Sequence, residues 1–193
     1  AEVRLMAADR VVKIPSSIGD ETAAAMMLKG MTVEYLLRRT YEVKPGDTIL
    51  FHAAAGGVGL IACQWAKALG ATVIGTVGSD EKAELARAHG CDHPIVYTRE
   101  DFVKRTREIT DGVGVPVVYD SVGKDTFEQS LDCLAPRGLM ASFGQSSGSV
   151  AEFNPGVLAA KGSLYLTRPS LMVYTASRED LVASANALFD VVA

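Results

Sequence analysis

Thr48-Ile49-Leu50-Phe51-His52-Ala53-Ala54-Ala55-Gly56-Gly57-Val58-Gly59-Leu60 is the stretch on which the fold turns. Its first five residues form a short apolar run suited to a buried strand. Its middle is a turn of alanines and glycines, and from Leu60 to Leu69 the pattern is helical until Gly70 stops it. A strand, a glycine turn and a helix in that order make a phosphate cradle. Gly56 lets the backbone approach a pyrophosphate, and Gly59 lets helix and strand pack closely. The helix N-terminus offers N–H groups and its positive dipole end to the anion. Ala54 departs from the fingerprint, standing where its first glycine usually is.

Outward from this turn, short apolar runs alternate with amphipathic stretches, the mark of βαβ units. The runs are Thr48 to His52, Thr72 to Val77, Pro94 to Tyr97, Val115 to Asp120, Leu139 to Phe143 and Ser163 to Thr167. Helices are expected over Val58 to Leu69, Asp80 to His89, Asp101 to Thr110, Asp125 to Leu134, Pro155 to Lys161 and Arg178 to Val192. Ahead of them, Val3 to Ile14 reads as extended and Pro15 ends it. A helix capped by Asp20 follows, bent or split at Gly30 before Thr32 to Arg39. The sum is an α/β chain of Rossmann type: a doubly wound, parallel, six-stranded sheet of order 3-2-1-4-5-6.

The second strand bears on which dinucleotide is bound. Sites for NAD place an acidic residue at its end to accept the ribose hydroxyls. Here that end reads Thr76-Val77-Gly78-Ser79, with Val77 at the carboxylate position. Loss of that charge removes repulsion against a 2′-phosphate, Gly78 leaves room for one, Ser79 can donate to it and Lys82 sits one helical turn on. NADPH is therefore the expected cofactor. Asp80 and Glu81 beside Lys82 also read as first-turn acids of a helix.

Bulk composition bounds the partners. With 193 residues, 48% hydrophobic and 22% charged, the chain has room for one substantial domain. A net charge of -4 gives no global attraction to nucleic acid or anionic membrane, so neither is an expected partner. No long apolar run or signal-peptide pattern is present, and a cytoplasmic location is expected. Cys63, Cys91 and Cys133 lack a C-x-x-C spacing and read as free thiols. His52, His89 and His93 lack paired metal-ligand spacing and read as structural, so no metal site is expected. No G-x-S-x-G elbow is present, and Ser146 to Ser149 reads as a loop.

The AAAGGVGL turn resembles that of the quinone oxidoreductase (zeta-crystallin-like) branch of the medium-chain dehydrogenases. Leu28-Lys29-Gly30-Met31-Thr32, Tyr119-Asp120-Ser121-Val122-Gly123, Ser142-Phe143-Gly144 and Lys161-Gly162-Ser163-Leu164 resemble further segments of that branch, in order. The chain is most similar to the bacterial NADPH:quinone reductases. The resemblance implies hydride transfer from NADPH to a quinone or similar conjugated carbonyl, without zinc. It implies Gly56, Gly57 and Val58 on the pyrophosphate, with Gly59 behind them; Gly78, Ser79 and Lys82 around the 2′-phosphate; and Tyr97 beside the adenine. Thr32, Ser121, Phe143 and Gly144 would approach the nicotinamide half, with Ser146 and Arg168 in the same crevice. Tyr97 and Phe143 also read as aromatics closing strand ends against the core.

The resemblance further implies a separate catalytic domain, from which residues 1–15 would be a remnant or linker, with residues 16–193 the dinucleotide-binding domain. On that expectation this fragment has little turnover of its own. No residue is singled out as a catalytic acid or base, since the cofactor carries the hard chemistry. Leu164 to Thr167 reads as an apolar edge strand through which two copies could pair as a homodimer. Two other functions fit the same residues: reduction of an enone or enoyl thioester, and a non-catalytic NADPH-binding module of crystallin-like or RNA-binding kind.

Overall fold

A computed structural model describes residues 3–192; Ala1, Glu2 and Ala193, at the ends of the two expected segments, lie outside the described residues. Six strands form one parallel sheet: β1 Thr48–Phe51, β2 Thr72–Val77, β3 His93–Val96, β4 Val115–Asp120, β5 Leu134–Ser142 and β6 Tyr165–Thr167. Their order is β3-β2-β1-β4-β5-β6, as the alternation of apolar runs and helices predicts. Because alternate residues of a strand face opposite sides, the sheet has two cores. Ile49 and Phe51 pack into one and Leu50 into the other, and Tyr119 and Val118 divide in the same way.

Helices cover both faces. On the first lie α1 Asp20–Tyr35, α2 Gly57–Ala68, α3 Asp80–Ala88 and the later α8 Arg178–Val192, whose Met31, Ala62, Trp65, Ala83 and Leu188 join the core. On the second lie α4 Phe102–Ile109, α5 Phe127–Asp132 and α6 Gly156–Ala160, contributing Phe102, Phe127 and Leu131, with Leu158 packed alongside. The short α7, Leu171–Tyr174, follows β6. Gly70, Gly90 and Gly112 follow α2, α3 and α4 at φ of 84°, 94° and 83°, the left-handed conformation that ends a helix.

Four local expectations are corrected. Val3 to Ile14, extended at Ala7 and Val11, joins no strand; a 3-10 turn at Ala8–Arg10 interrupts it, and side chains hold it. Arg10 Nη1 donates to the carbonyls of Thr175 and Ala176 at 3.1 and 3.0 Å. Gly19, rather than Asp20, is the N-cap of α1, and no side chain caps that end; Asp20 acts from the first turn through its charge. Gly30 does not split α1. A Cβ there would lie 2.7 Å from Leu188 Cδ2, so the glycine lets α8 approach, and the helix continues into a π-helical turn at Leu36–Thr40. Finally, β5 begins five residues earlier than its apolar run, because Arg137 at φ 63° and Gly138 loop out and shift the pairing from Val115↔Leu134 to Val117↔Leu139.

Candidate functional site

Parallel strands bring their carboxyl ends to one edge, and this is where the glycine turn lies. It is pinned to β2: Ala53 N–H donates to Thr76 Oγ1 at 3.3 Å, and Ala54 N–H to the Thr76 carbonyl at 3.0 Å. Gly56 N–H closes the turn on the Ala53 carbonyl at 2.8 Å. A Cβ on Gly59 would sit 2.6 Å from the Ala54 carbonyl oxygen, so only glycine lets α2 start this close to the turn. The alanine at the fingerprint's first position is explained one strand away. Ala54 is fully buried, and its methyl lies where a Cβ on Gly75 would be, 2.5 Å off. The glycine the turn lacks is supplied by β2.

Beyond the turn opens a cavity of about 630 Å³ between the ends of β1, β2 and β4. Of the residues expected to bind the dinucleotide, Gly56, Gly78, Lys82, Tyr97 and Ser146 line it. Tyr97 is 55% exposed, so it is a wall of the cavity rather than a core aromatic. Its hydroxyl lies 3.1 Å from where a Cβ on Gly78 would be. Ser79 is the N-cap of α3, its Oγ accepting from Lys82 N–H at 3.3 Å. Val77 also lines the cavity, and its side chain brings no charge there. Asp80 turns away to Arg99, whose Nη1 donates to it at 2.7 Å; that hydrogen bond holds the Asp80 carboxyl below its ordinary range.

Gly57 and Val58 stand at the open start of α2, and Gly59 is buried beneath them. Neither Ser121 nor Gly144 lines the large cavity. They pack on each other at the ends of β4 and β5, a Cβ on Gly144 falling 2.7 Å from Ser121 Cα. Thr32, Phe143 and Arg168 gather in a second cavity of about 330 Å³. There Arg168 Nη1 donates to the Ser142 carbonyl at 2.7 Å, and Phe143 packs on Phe51 with ring centroids 5.7 Å apart. The expected residues are thus spread over two cavities, with Gly57, Val58, Gly59, Ser79, Ser121 and Gly144 in the lining of neither.

Several residues at this edge have no role assigned to them by the sequence. Tyr35 lines the second cavity and stacks on Tyr174 with centroids 4.6 Å apart; burial, with Tyr174 beside it, pushes its hydroxyl up to about 12. Beneath the large cavity runs a buried chain of hydrogen bonds. His52 Nδ1 is bonded to Thr76 Oγ1 and its Nε2 to Ser130 Oγ, each at 2.9 Å. Ser130 Oγ donates to Asp120 Oδ2 at 3.3 Å, and Thr126 Oγ1 to the same oxygen at 2.7 Å. Asp120 Oδ1 accepts the N–H groups of Val122 and Gly123 at 2.6 and 3.0 Å. Burial lowers the His52 pKa, and the Asp120 charge opposes that shift. His52 thus ties the glycine turn to β2, β4 and α5, and it also lines the large cavity.

Among the described residues, no group of three His, Cys, Asp or Glu side chains could hold a metal ion. Cys63, Cys91 and Cys133 are all buried and free. No helix among the described residues is long and apolar enough to cross a membrane. The large cavity thus joins the backbone N–H groups of the glycine turn, the Lys82 ammonium and the Tyr97 ring, features that suit a phosphate-bearing nucleotide, with Glu100, Asp101 and Asp125 also in its lining.

The family model described as "Zinc-binding dehydrogenase" matches residues 57–184. The quinone oxidoreductase of Pseudomonas aeruginosa is 58% identical over 192 residues, which is 100% of this chain and 59% of that protein. A 2-haloacrylate reductase of Burkholderia sp is 51% identical over 196 residues, again 100% of this chain and 59% of the relative. Among solved structures, the Escherichia coli quinone oxidoreductase complexed with NADPH superimposes with a TM-score of 0.94 at 59% identity, covering 96% of this chain and 57% of that one. The chain thus spans about 59% of the length of the curated relatives it matches.

Proposed function

The chain belongs to the zinc-binding dehydrogenase family, in its quinone oxidoreductase branch, and from that membership we propose that residues 16–193 hold NADPH for hydride transfer to a quinone. The carrying observation is the cavity at the carboxyl ends of β1, β2 and β4, where Gly56 opens the turn, Lys82 supplies the cation and Val77 takes the position at the end of β2 where NAD sites carry a carboxylate. NADPH supplies the hydride when bound. The chain's own part is to hold and orient it: α2's N–H groups on the diphosphate; Gly78, Ser79 and Lys82 on the 2′-phosphate; Tyr97 along the adenine. Thr32, Phe143 and Arg168 of the second cavity, Ser146 of the large one, and Ser121 and Gly144 at the ends of β4 and β5 serve the nicotinamide half.

In this reading the enzyme works without zinc, as the resemblance to the quinone oxidoreductase branch implies. Residues 1–15 link the cofactor domain to a catalytic domain, and the protein is a cytoplasmic homodimer. The pairing surface is β6, the last strand of the sheet, whose Tyr165 is 62% exposed.

A second reading is favoured by the 51% identity to a 2-haloacrylate reductase: the acceptor is an activated carbon–carbon double bond. The test is NADPH oxidation by the protein carrying its catalytic domain, with a quinone panel and a 2-haloacrylate as alternative acceptors. Quinone-dependent oxidation is expected. Oxidation by the haloacrylate alone would move the assignment to the second reading. Binding of NADPH without oxidation by either would favour a non-catalytic module.

A further inference from the structure

Gly57 has no role in shaping the turn that Gly56 and Gly59 do not already fill, and what lies over it is a lysine. A Cβ on Gly57 would fall 2.8 Å from Lys29 Cε, 3.0 Å from Cδ and 3.3 Å from Nζ. Lys29 projects from α1, and its ammonium is thereby held against the first turn of α2. That is the wrong end of a helix for a cation, because the dipole there is positive. Nothing local offsets it: the first turn of α2 has no acidic residue, the N-cap is Gly56, and no side chain caps it. Among the described residues no carboxylate pairs with Lys29. Two positive elements converge on the exposed turn at Gly56 and Gly57, an arrangement that an anion between them would stabilise.

We propose that Lys29 is a second cofactor-binding lysine, pairing with the diphosphate of the dinucleotide while Lys82 serves the 2′-phosphate. The proposal rests on the NADPH reading above. It also gives Gly57 a reason: a side chain there would displace the lysine from the turn. The displaced group is the flexible end of an exposed side chain, so Gly57→Ala should fold normally and lose only the contact. The diphosphate is common to NADPH and NADH, so Lys29 should act on both equally, unlike Lys82.

Titrations of the chain with NADPH, NADH and adenosine 2′-monophosphate test this. Lys29→Ala is expected to raise the Kd of both dinucleotides by roughly 10-fold, the loss of one charge-assisted hydrogen bond, and to leave adenosine 2′-monophosphate unaffected because it has no diphosphate. Gly57→Ala should produce the same shift, and the double variant should be no weaker than either single one, since both remove one contact. Lys29→Arg should retain most of the affinity. Unchanged dinucleotide affinity in Lys29→Ala, with the parent chain binding normally, would overturn the lysine assignment and leave the site reading intact. A parent chain that binds neither dinucleotide would overturn both.

Discussion

The methyl of Ala54 lies over Gly75, and the pair carries a stability prediction as well as an explanation of the altered fingerprint. A Cβ on Gly75 would meet Ala54 Cβ at 2.5 Å and Cys91 Sγ at 2.6 Å, both in the buried core. Gly75→Ala should therefore destabilise the chain by about 1–3 kcal/mol in urea unfolding, and adding Ala54→Gly should recover part of that loss. A second residue-scale test concerns cofactor choice. Ser79 caps α3 through its Oγ, and aspartate caps as well as serine, so Ser79→Asp should keep the fold while placing a carboxylate beside the 2′-phosphate position. Its Kd for NADPH should rise by roughly 10-fold or more while that for NADH stays level, as read by parallel titrations. The loss of affinity for both cofactors alike would show that Ser79 acts on the fold instead. Lys82→Ala should likewise weaken NADPH alone.

At the scale of elements, His52 joins four pieces of the structure: it sits at the end of β1 and reaches Thr76 on β2 and Ser130 on α5, which in turn meets Asp120 on β4. Its pKa is depressed by burial below the ordinary 6.5. The folded state therefore binds fewer protons than the unfolded state once the pH drops beneath that value. Stability from this group is present above pH 6.5 and is lost as the pH falls toward the depressed folded pKa. Unfolding at a series of pH values should show that decline, and His52→Gln, which does not titrate, should flatten it below about pH 6.5. An equally steep decline in the variant would assign it to other groups.

The strands and helices were legible in the sequence because each apolar run is bounded by Gly, Asp or Pro, and a run such as Val117-Val118-Tyr119 must be covered on both faces. Gly30 misled because a glycine that breaks a helix and one that admits Leu188 look the same in one dimension. The same limit applies to the site. The phosphate turn and the end of β2 declare themselves by spacing along one βαβ unit. The His52 network joins positions 52, 76, 120, 126 and 130, whose only relation is the sheet that brings them together. Tyr35 and Lys29 reach the edge from α1, outside that unit altogether.

Across the whole molecule, the two cavities lie along one edge of the sheet, while β6 closes the far side with Tyr165 exposed. If two copies pair there, Tyr165→Lys should reduce the dimer fraction in sedimentation without lowering monomer stability, because the side chain packs on solvent. An unchanged sedimentation profile would place the pairing surface elsewhere. The net charge of -4 sharpens the larger point: with no global pull on an anion, affinity for a phosphorylated dinucleotide has to come from local groups, the turn, the N-terminus of α2 and the lysines beside them. The most direct test is calorimetric titration of the chain with NADPH and with NADH. The site as described predicts one NADPH per chain, bound at least roughly 10-fold more tightly than NADH. Equal affinities, tighter binding of NADH, or no binding of either would contradict it.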